Sequence, residues 1–280
     1  MMRMMMNLLC VGILLGTAGC PPRRAVIEPI CPGKETIADA VEALEMQRSN
    51  LHPIQARVRV VLNWTDPDGK EQKEDFDGQL RFTPPDRLFV RGEKFGEIRF
   101  GTNEEAFWLM VKPELDSYWW GTRQAADMCQ ERLQFNPWNV TEALGMAEVD
   151  ATWDLRHIDG FDVLTKSDNL GRPIKRVRVR ACDYLVSTIE VLNPDADQSA
   201  LISLDEYTAS EQGLMVPGVI GAEHMQGGQR DAAMRVELRG IRRFEMEPAK
   251  LERLYARPSK AHYENVYRLS SDCEFVLVGQ

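Results

Sequence analysis

The 280-residue chain lacks most of the signatures by which enzymes announce themselves. No H-E-x-x-H, G-x-S-x-G, P-loop or G-x-G-x-x-G occurs, and the four histidines, His52, His157, His224 and His262, are scattered. No C-x-x-C occurs either, so a zinc knuckle or a thioredoxin-like redox site has no support, and no metal or cofactor is expected. Glu104-Glu105 and the pair Asp66/Asp68 are too few oxygen donors for a Ca²⁺ loop. Basic excess is absent: with a net charge of −9 and a pI near 5.1, the chain has no surface suited to nucleic acid. Catalysis is therefore not expected. Long hydrophobic runs are missing as well. From Met4 to Gly19 no residue is charged, but this stretch includes Asn7 and three small residues at its end, whereas a spanning helix needs about 20 mostly apolar residues.

What stands there is a signal. Arg3 supplies a positive start, Leu8 to Leu15 an apolar segment, and Gly16-Thr17-Ala18-Gly19 a run of small side chains directly before Cys20. Small-small-Cys is how bacterial lipoprotein signals end, with Thr17 where Leu is usual. The thiol of Cys20 accepts a diacylglyceryl group, and small neighbours let the peptidase reach the bond before it. Cys20 is thus expected to be the lipid-bearing (diacylglyceryl, palmitate-type) first residue of the mature chain, and two or three acyl chains hold a protein to a membrane stably. Pro21 follows Cys20 where Asp would favour inner-membrane retention, which points to the periplasmic face of the outer membrane.

These features divide the chain into a signal peptide at 1–19, a lipidated, Pro-rich tether at 20–34 carrying Pro21, Pro22, Pro29 and Pro32, and one domain at 35–280. Hydrophobic content of 44% with 28% charged residues is ordinary for a folded domain. Of six cysteines, Cys10 lies in the signal and Cys20 carries lipid. Cys31, Cys129, Cys182 and Cys273 remain, and an even count in an oxidising compartment permits two disulfides in any of three connectivities, or buried free thiols. Asn139-Val140-Thr141 matches a glycosylation triplet, which has little meaning in a bacterial lipoprotein.

Within the domain, Ile37, Val41 and Leu44 recur at helical spacing, so a helix is expected over Glu35 to Arg48, stopped by Asn50 and Pro53. From Gln55 the period becomes two. Val58, Val60, Leu62 and Trp64 alternate with mostly polar residues, and Asp66-Pro67-Asp68-Gly69 makes a turn into a charged Lys70 to Asp75 segment. Further strands are expected at Phe76 to Phe82, Arg87 to Gly92, Glu97 to Gly101, Ala106 to Lys112 and Ser117 to Trp120. After short helices at Gln124 to Leu133 and Val140 to Leu144 the strands resume, at Val149 to His157, Phe161 to Lys166, Ile174 to Cys182, Leu185 to Leu192, Ala200 to Tyr207, Val216 to Met225 and Ala233 to Gly240. The spacing predicts an antiparallel meander of ten or eleven strands, not βαβ units. Arg176, Arg178 and Arg180 share one face of their strand opposite Val177 and Val179, as a solvated outer face requires, although such a stripe also suits anionic headgroups. Ala249 to Tyr255 reads as a short helix and the final segment, Val266 to Val278, as a last strand, with Phe275, Leu277 and Gly279 alternating with Val276 and Val278.

The stretch Asp77-Gly78-Gln79-Leu80-Arg81-Phe82-Thr83-Pro84-Pro85-Asp86-Arg87-Leu88 resembles the bacterial outer-membrane lipoprotein-sorting carriers and receptors, the LolA/LolB-like family. Phe95-Gly96, Phe100-Gly101-Thr102-Asn103, Ala106-Phe107-Trp108-Leu109, Asn136 to Gly145, Gly213-Leu214-Met215-Val216-Pro217 and Phe244-Glu245-Met246-Glu247-Pro248 continue the pattern in order. The resemblance, over about Glu35 to Pro248, implies a mainly β fold with α: an incomplete β-barrel, covered by helices, over an apolar cavity that accepts acyl chains. Trp64, Leu80, Phe82, Leu88, Phe100, Leu109 and Trp120 should then face inward as lipid-cavity candidates, and Tyr118, Trp119 and Trp120 also suit a membrane-facing or lid-contact cluster. The Thr65 to Asp75 loop is polar where receptor-type members carry a protruding apolar loop. The function expected is non-covalent binding of an acyl chain, lipid or lipoprotein cargo by a membrane-anchored envelope protein. The alternative is a structural lipoprotein with a filled core that binds another envelope protein.

Overall fold

The computed structural model describes residues 31–279 apart from 66–67, 94–96, 113–115, 130–132, 134–135, 196, 211–212 and 260–262. The signal peptide, Cys20 and most of the tether lie outside the described residues, as do Asp66-Pro67, Phe95-Gly96 and His262. Among the described residues no helix is long and apolar enough to cross a membrane.

Helix α1 spans Ile37–Ser49 and begins at a capping box: the Thr36 hydroxyl accepts from the Asp39 amide and the Asp39 carboxylate accepts from the Thr36 amide, both at 3.2 Å. Six strands follow, β1 (Ile54–Thr65), β2 (Glu71–Thr83), β3 (Arg87–Glu93), β4 (Glu97–Thr102), β5 (Ala106–Lys112) and β6 (Ser117–Thr122). Short helices α2 (Arg123–Met128) and α3 (Pro137–Thr141) run into a π-helical turn, Glu142–Met146. The second series comprises β7 (Asp154–Ile158), β8 (Phe161–Ser167), β9 (Pro173–Arg180), β10 (Val186–Asn193), β11 (Gln198–Asp205), the small ribbon β12 (Thr208–Ala209) and β13 (Met215–Val216), then β14 (Val219–Gln226) and β15 (Gln229–Arg243). Helix α4 (Pro248–Tyr255) and strands β16 (Asn265–Leu269) and β17 (Phe275–Gly279) complete the chain.

Fifteen of these strands form one curved sheet in the order β17-β16-β6-β5-β4-β3-β2-β1-β15-β14-β11-β10-β9-β8-β7. It does not close into a barrel, so β17 and β7 are its edges. The architecture is the expected one, mainly β with covering helices. Three local expectations fail. The charged segment Glu71 to Asp75 is the first part of β2, paired with β1 from Thr65 to Val61. Its alternation is invisible because that end of the strand is solvated on both faces. The strand expected from Val149 begins only at Asp154, after a turn. The last segment folds into two strands, and β16 joins β6 in parallel, Tyr267 beside Trp119.

Side chains on the face that carries α1, the inner face, form two apolar rows that meet at β1. One runs Ala56, Leu80, Val90, Phe100, Leu109, Trp119, Tyr267, Leu277 across β1 to β6, β16 and β17. The other runs Leu62, Met234, Ala222, Ile202, Ile189, Val177, Leu164, Leu155 from β1 through β15 to β7. Ala40 and Leu44 of α1, Ala143 and Leu144 of the π-helical turn, and Trp153 cover the middle of both rows and complete one continuous core. Every second residue of a strand shares a face, so this register assigns the whole sheet.

The outer face of β3 to β6 is covered by the C-terminal segment. Tyr255 of α4 hydrogen-bonds the Thr83 hydroxyl at 3.1 Å, and Arg87 reaches Glu252 at 2.6 Å and Glu104 at 2.7 Å. The Tyr118 hydroxyl donates to the Pro258 carbonyl at 3.3 Å, and Tyr263 stacks on the Tyr118 ring. Gly101 sits beneath the Trp108 indole on this face, where any Cβ would overlap the ring.

Candidate functional site

The expected cavity residues do not form one cavity. Leu80, Phe82 and Leu88 lie in the packed core at 1%, 1% and 0% exposure. Phe100 packs against that core, Leu109 is half-buried on the same row, and Trp64 stands half-buried toward the far end of β1. Trp120 faces the other way: it opposes Trp108 across β5 and β6, one residue out of step with Leu109 and Trp119, and the Arg257 guanidinium lies 4.0 Å from its ring centroid. The cluster Tyr118-Trp119-Trp120 is accordingly split. Trp119 stacks on Tyr267 on the inner face, while Tyr118 and Trp120 lie under the C-terminal segment.

Space is left instead on the second arm of the sheet, in a pocket of about 540 Å³ under the C-terminal end of α1. Leu44 and Gln47 come from α1, Leu51 and His52 from the segment after it, and Leu144 and Ala147 from the π-helical turn. Within that turn Gly145, whose φ of +104° favours glycine, lets the backbone approach Leu51. Leu185 and Val186 supply the floor beside the β9–β10 turn, and Leu214, Met215 and Pro217 the opposite wall. Tyr207 fixes the two together, its hydroxyl donating to the Val186 carbonyl at 2.7 Å. Burial pushes that phenol well above its ordinary range, with Arg180 opposing. Gln47 secures α1 to the turn by donating to the Tyr184 carbonyl at 2.9 Å. Arg48, Asp183 and Arg243 are the charged members of the lining. The lining is about equally polar and apolar, and the volume falls in the range of small-molecule sites.

A second cleft, about 500 Å³, lies between α2–α3 and β9–β11 and is polar. Lys175 grips both carboxylate oxygens of Glu142 at 2.7 Å, Arg172 bridges Asp168 at 2.9 Å and Asp195 at 2.5 Å, and His224 meets Asp231 at 2.6 Å. The Arg172 backbone N–H, opposed by burial and aided by the Arg172 side chain and the Leu170 N–H, holds the Asp168 carboxyl below the usual carboxylate range. These charges satisfy one another, as in a structural network. The arginine stripe is similarly engaged: Arg176 pairs with Glu190 at 2.9 Å, Arg178 lies over the Phe161 ring, and Arg180 pairs with Asp183. Among the described residues no group of three or more His, Cys, Asp or Glu is placed to hold a metal ion.

The four domain cysteines pair as Cys31–Cys182 and Cys129–Cys273, with Cα separations of 5.1 and 5.2 Å. The first bond joins the end of the tether to the β9–β10 turn. The second joins the end of α2 to the β16–β17 turn.

No family model matches the chain, and no curated protein matches it. Solved structures do. A LolA superfamily protein from Nitrosomonas europaea is similar at 12% identity and a TM-score of 0.48, covering 80% of this chain and 99% of its own. A putative outer membrane lipoprotein-sorting protein domain from Vibrio parahaemolyticus is similar at 9% identity and 0.48, covering 78% and 97%. A DUF1329 family protein from Desulfovibrio piger reaches 0.50 at 9% identity, covering 77% and 95%. The likeness is one of fold. Two of these neighbours carry the family description that the sequence resembles.

Proposed function

We propose that this chain is an exported envelope lipoprotein, held at the periplasmic face of the outer membrane through Cys20, that binds the acyl part of a lipid or lipoprotein non-covalently. The observation that carries this reading is the pocket of about 540 Å³, whose apolar part is lined by Leu44, Leu51, Leu144, Leu185, Val186 and Leu214. The lipoprotein-sorting description of the Vibrio parahaemolyticus neighbour agrees with it but adds no weight at that similarity. The binding residues are those of the pocket, while Leu80, Phe82 and Leu88 are support beneath the sheet.

The test is mass spectrometry of the Cys20→Ala protein purified from the cell envelope without detergent. One co-purified lipid per chain is expected, and Leu214→Trp, which fills the pocket from a half-buried wall position, should remove it. A folded protein carrying no lipid would overturn the reading. The alternative, an interaction lipoprotein with a filled core, draws on the exposed edge strand β17, where Phe275, Val276, Leu277 and Val278 are each 38–49% exposed. It predicts lipid-free protein that associates through that edge.

A further inference from the structure

The tether enters the domain beside the pocket. Cys31, the first described residue, is bonded to Cys182 in the β9–β10 turn, and Asp183, Leu185 and Val186, the residues that follow, line the pocket. The Lys34 amide donates to the buried Asp162 at 2.9 Å, and the Lys34 ammonium lies 4.9 Å from the Tyr184 ring centroid. The end of the tether is thus held along one end of the second arm.

Three large apolar side chains stand exposed around that point. Ile158, 46% exposed, closes β7 at the β7–β8 turn, where the Gly160 carbonyl accepts from the Ala181 amide at 2.9 Å, next to Cys182. Met46, 60% exposed, adjoins Gln47, which is hydrogen-bonded to the same turn. Met215, 39% exposed, belongs to the pocket wall. Core packing explains none of the three.

Ten residues lie between Cys20 and Cys31, eleven steps of chain or at most about 40 Å when extended. The far edge, β17, lies eleven strand spacings from β10 along the sheet, about 50 Å of arc. We propose that the Cys31–Cys182 bond turns the lipid tether into a short strap that seats Ile158, Met46 and Met215 on the phospholipid bilayer, with the pocket mouth facing it. This rests on the lipid-anchor reading above. The charged side chains lining the pocket are of both signs, Arg48 and Arg243 against Asp183, with Lys34 nearby over the Tyr184 ring. Contact is therefore made by apolar insertion, and it is insensitive to salt and to the proportion of anionic lipid.

The experiment uses the full acylated chain in vesicles of phosphatidylcholine, with and without phosphatidylglycerol. Photoreactive benzoylphenylalanine replaces, one at a time, Met46, Ile158, Met215, Leu170 in the β8–β9 turn at the opposite end, and Leu277 on β17. Lipid adducts at the first three should exceed those at Leu170 and Leu277 at least about fivefold in both vesicles. Equal yields at Leu170 or Leu277 overturn the proposal, as does preference only with phosphatidylglycerol. In C31S/C182S the preference should fall toward parity. If that variant does not fold, an insertion of about twenty Gly-Ser residues between Val26 and Ile27 loosens the strap and should produce the same fall; an unchanged preference in the variant that folds overturns the strap. The mass at Cys20 reads the anchor itself, and its absence overturns the strap together with the anchor. Lipid occupancy of the Cys20→Ala protein reads the pocket separately, so an empty pocket with adducts at the three sites removes the lipid-binding reading and leaves the orientation standing.

Discussion

Leu88→Ala in the soluble Cys20→Ala protein separates core from ligand wall. Leu88 has no exposed surface, sits between Phe82 and Thr102 on neighbouring strands, and its amide donates to the Thr102 hydroxyl at 3.2 Å. That backbone bond survives the substitution, so the loss is burial plus the cavity left behind, about 2–5 kcal/mol for buried Leu to Ala. The regular strands on both sides resist collapse, which places the value near 3 kcal/mol and lowers Tm by about 6–12 °C in a domain of this size. Leu214→Ala is the contrast. Its side chain is half-buried and already faces space on one side, where it has no partner atoms to lose, so it should cost about 1 kcal/mol or less while reducing co-purified lipid. The assay is urea unfolding followed by tryptophan fluorescence, with lipid occupancy read by mass on the same preparations. A loss below about 1 kcal/mol for Leu88→Ala, at unchanged urea slope, refutes the packed inner row. Folded Leu88→Ala protein without lipid would move the ligand from the pocket to that row.

Other perturbations test separate parts of the structure. Cys129→Ser with Cys273→Ser opens a bond spanning 144 residues, worth up to about 5 kcal/mol by chain entropy, and should release the β16–β17 hairpin first, as early amide exchange at Leu269 and Leu277. Burial pushes the Tyr118 phenol up to about 12, with Arg257 opposing and Tyr263 adding. The folded state thus holds the proton that the unfolded chain releases near pH 10: Tyr118's contribution is complete below pH 10 and is lost between pH 10 and 12. Tyr118→Phe should flatten alkaline destabilisation in that window, read as urea midpoints at pH 9, 10 and 11. Strand β17 is an edge without a charged side chain, whereas the opposite edge β7 carries Asp154, Arg156 and His157. Leu277→Lys should therefore lower self-association in sedimentation experiments at high protein concentration and leave unfolding within about 0.5 kcal/mol.

Alternation was readable where a strand has one wet face. Val58 and Val60 on β1, and Val177 and Val179 on β9, point inward as their spacing requires, and the basic side chains between Val177 and Val179 lie outward. It failed on β5 and β6. Ala106 to Val111 and Tyr118 to Trp120 are apolar at successive positions because both faces are covered, the inner by neighbouring core and the outer by the segment from α4 to β16. Period two then carries no information about direction, and Trp120 took the face opposite to the one expected. The parallel pairing of β16 with β6 was equally hidden, since its partner lies far away in sequence and local turn chemistry says nothing about it. The pocket escaped for a related reason. Its walls come from α1, the π-helical turn, the β9–β10 turn and the segment before β14, each ordinary by itself. The one clue was Gly213-Leu214-Met215-Val216-Pro217, an apolar stretch too short for a core strand.

In the lipoprotein proposed above, the placement of the pocket gives the anchor its mechanical meaning. Had the space lain among Phe100, Leu109 and Trp120, as expected of the cavity candidates, a chain fixed at the β9–β10 turn would hold it most of a sheet's breadth away, about 40 Å of arc from its own attachment. Such a site would have to receive a ligand delivered from elsewhere. With the inner face filled at Leu80 and Leu88 and the space moved beneath α1, the lining begins one residue after Cys182, so attachment and site share an end. Acyl chains move between a pocket and a bilayer only where the path through water is short, because each exposed methylene costs about 0.8 kcal/mol. In that proposal a site at the strapped end is held toward the bilayer and one on the far arm away from it. In the function proposed above, the Cys31–Cys182 bond, more than any single lining residue, therefore decides whether the fold takes a ligand directly from the membrane.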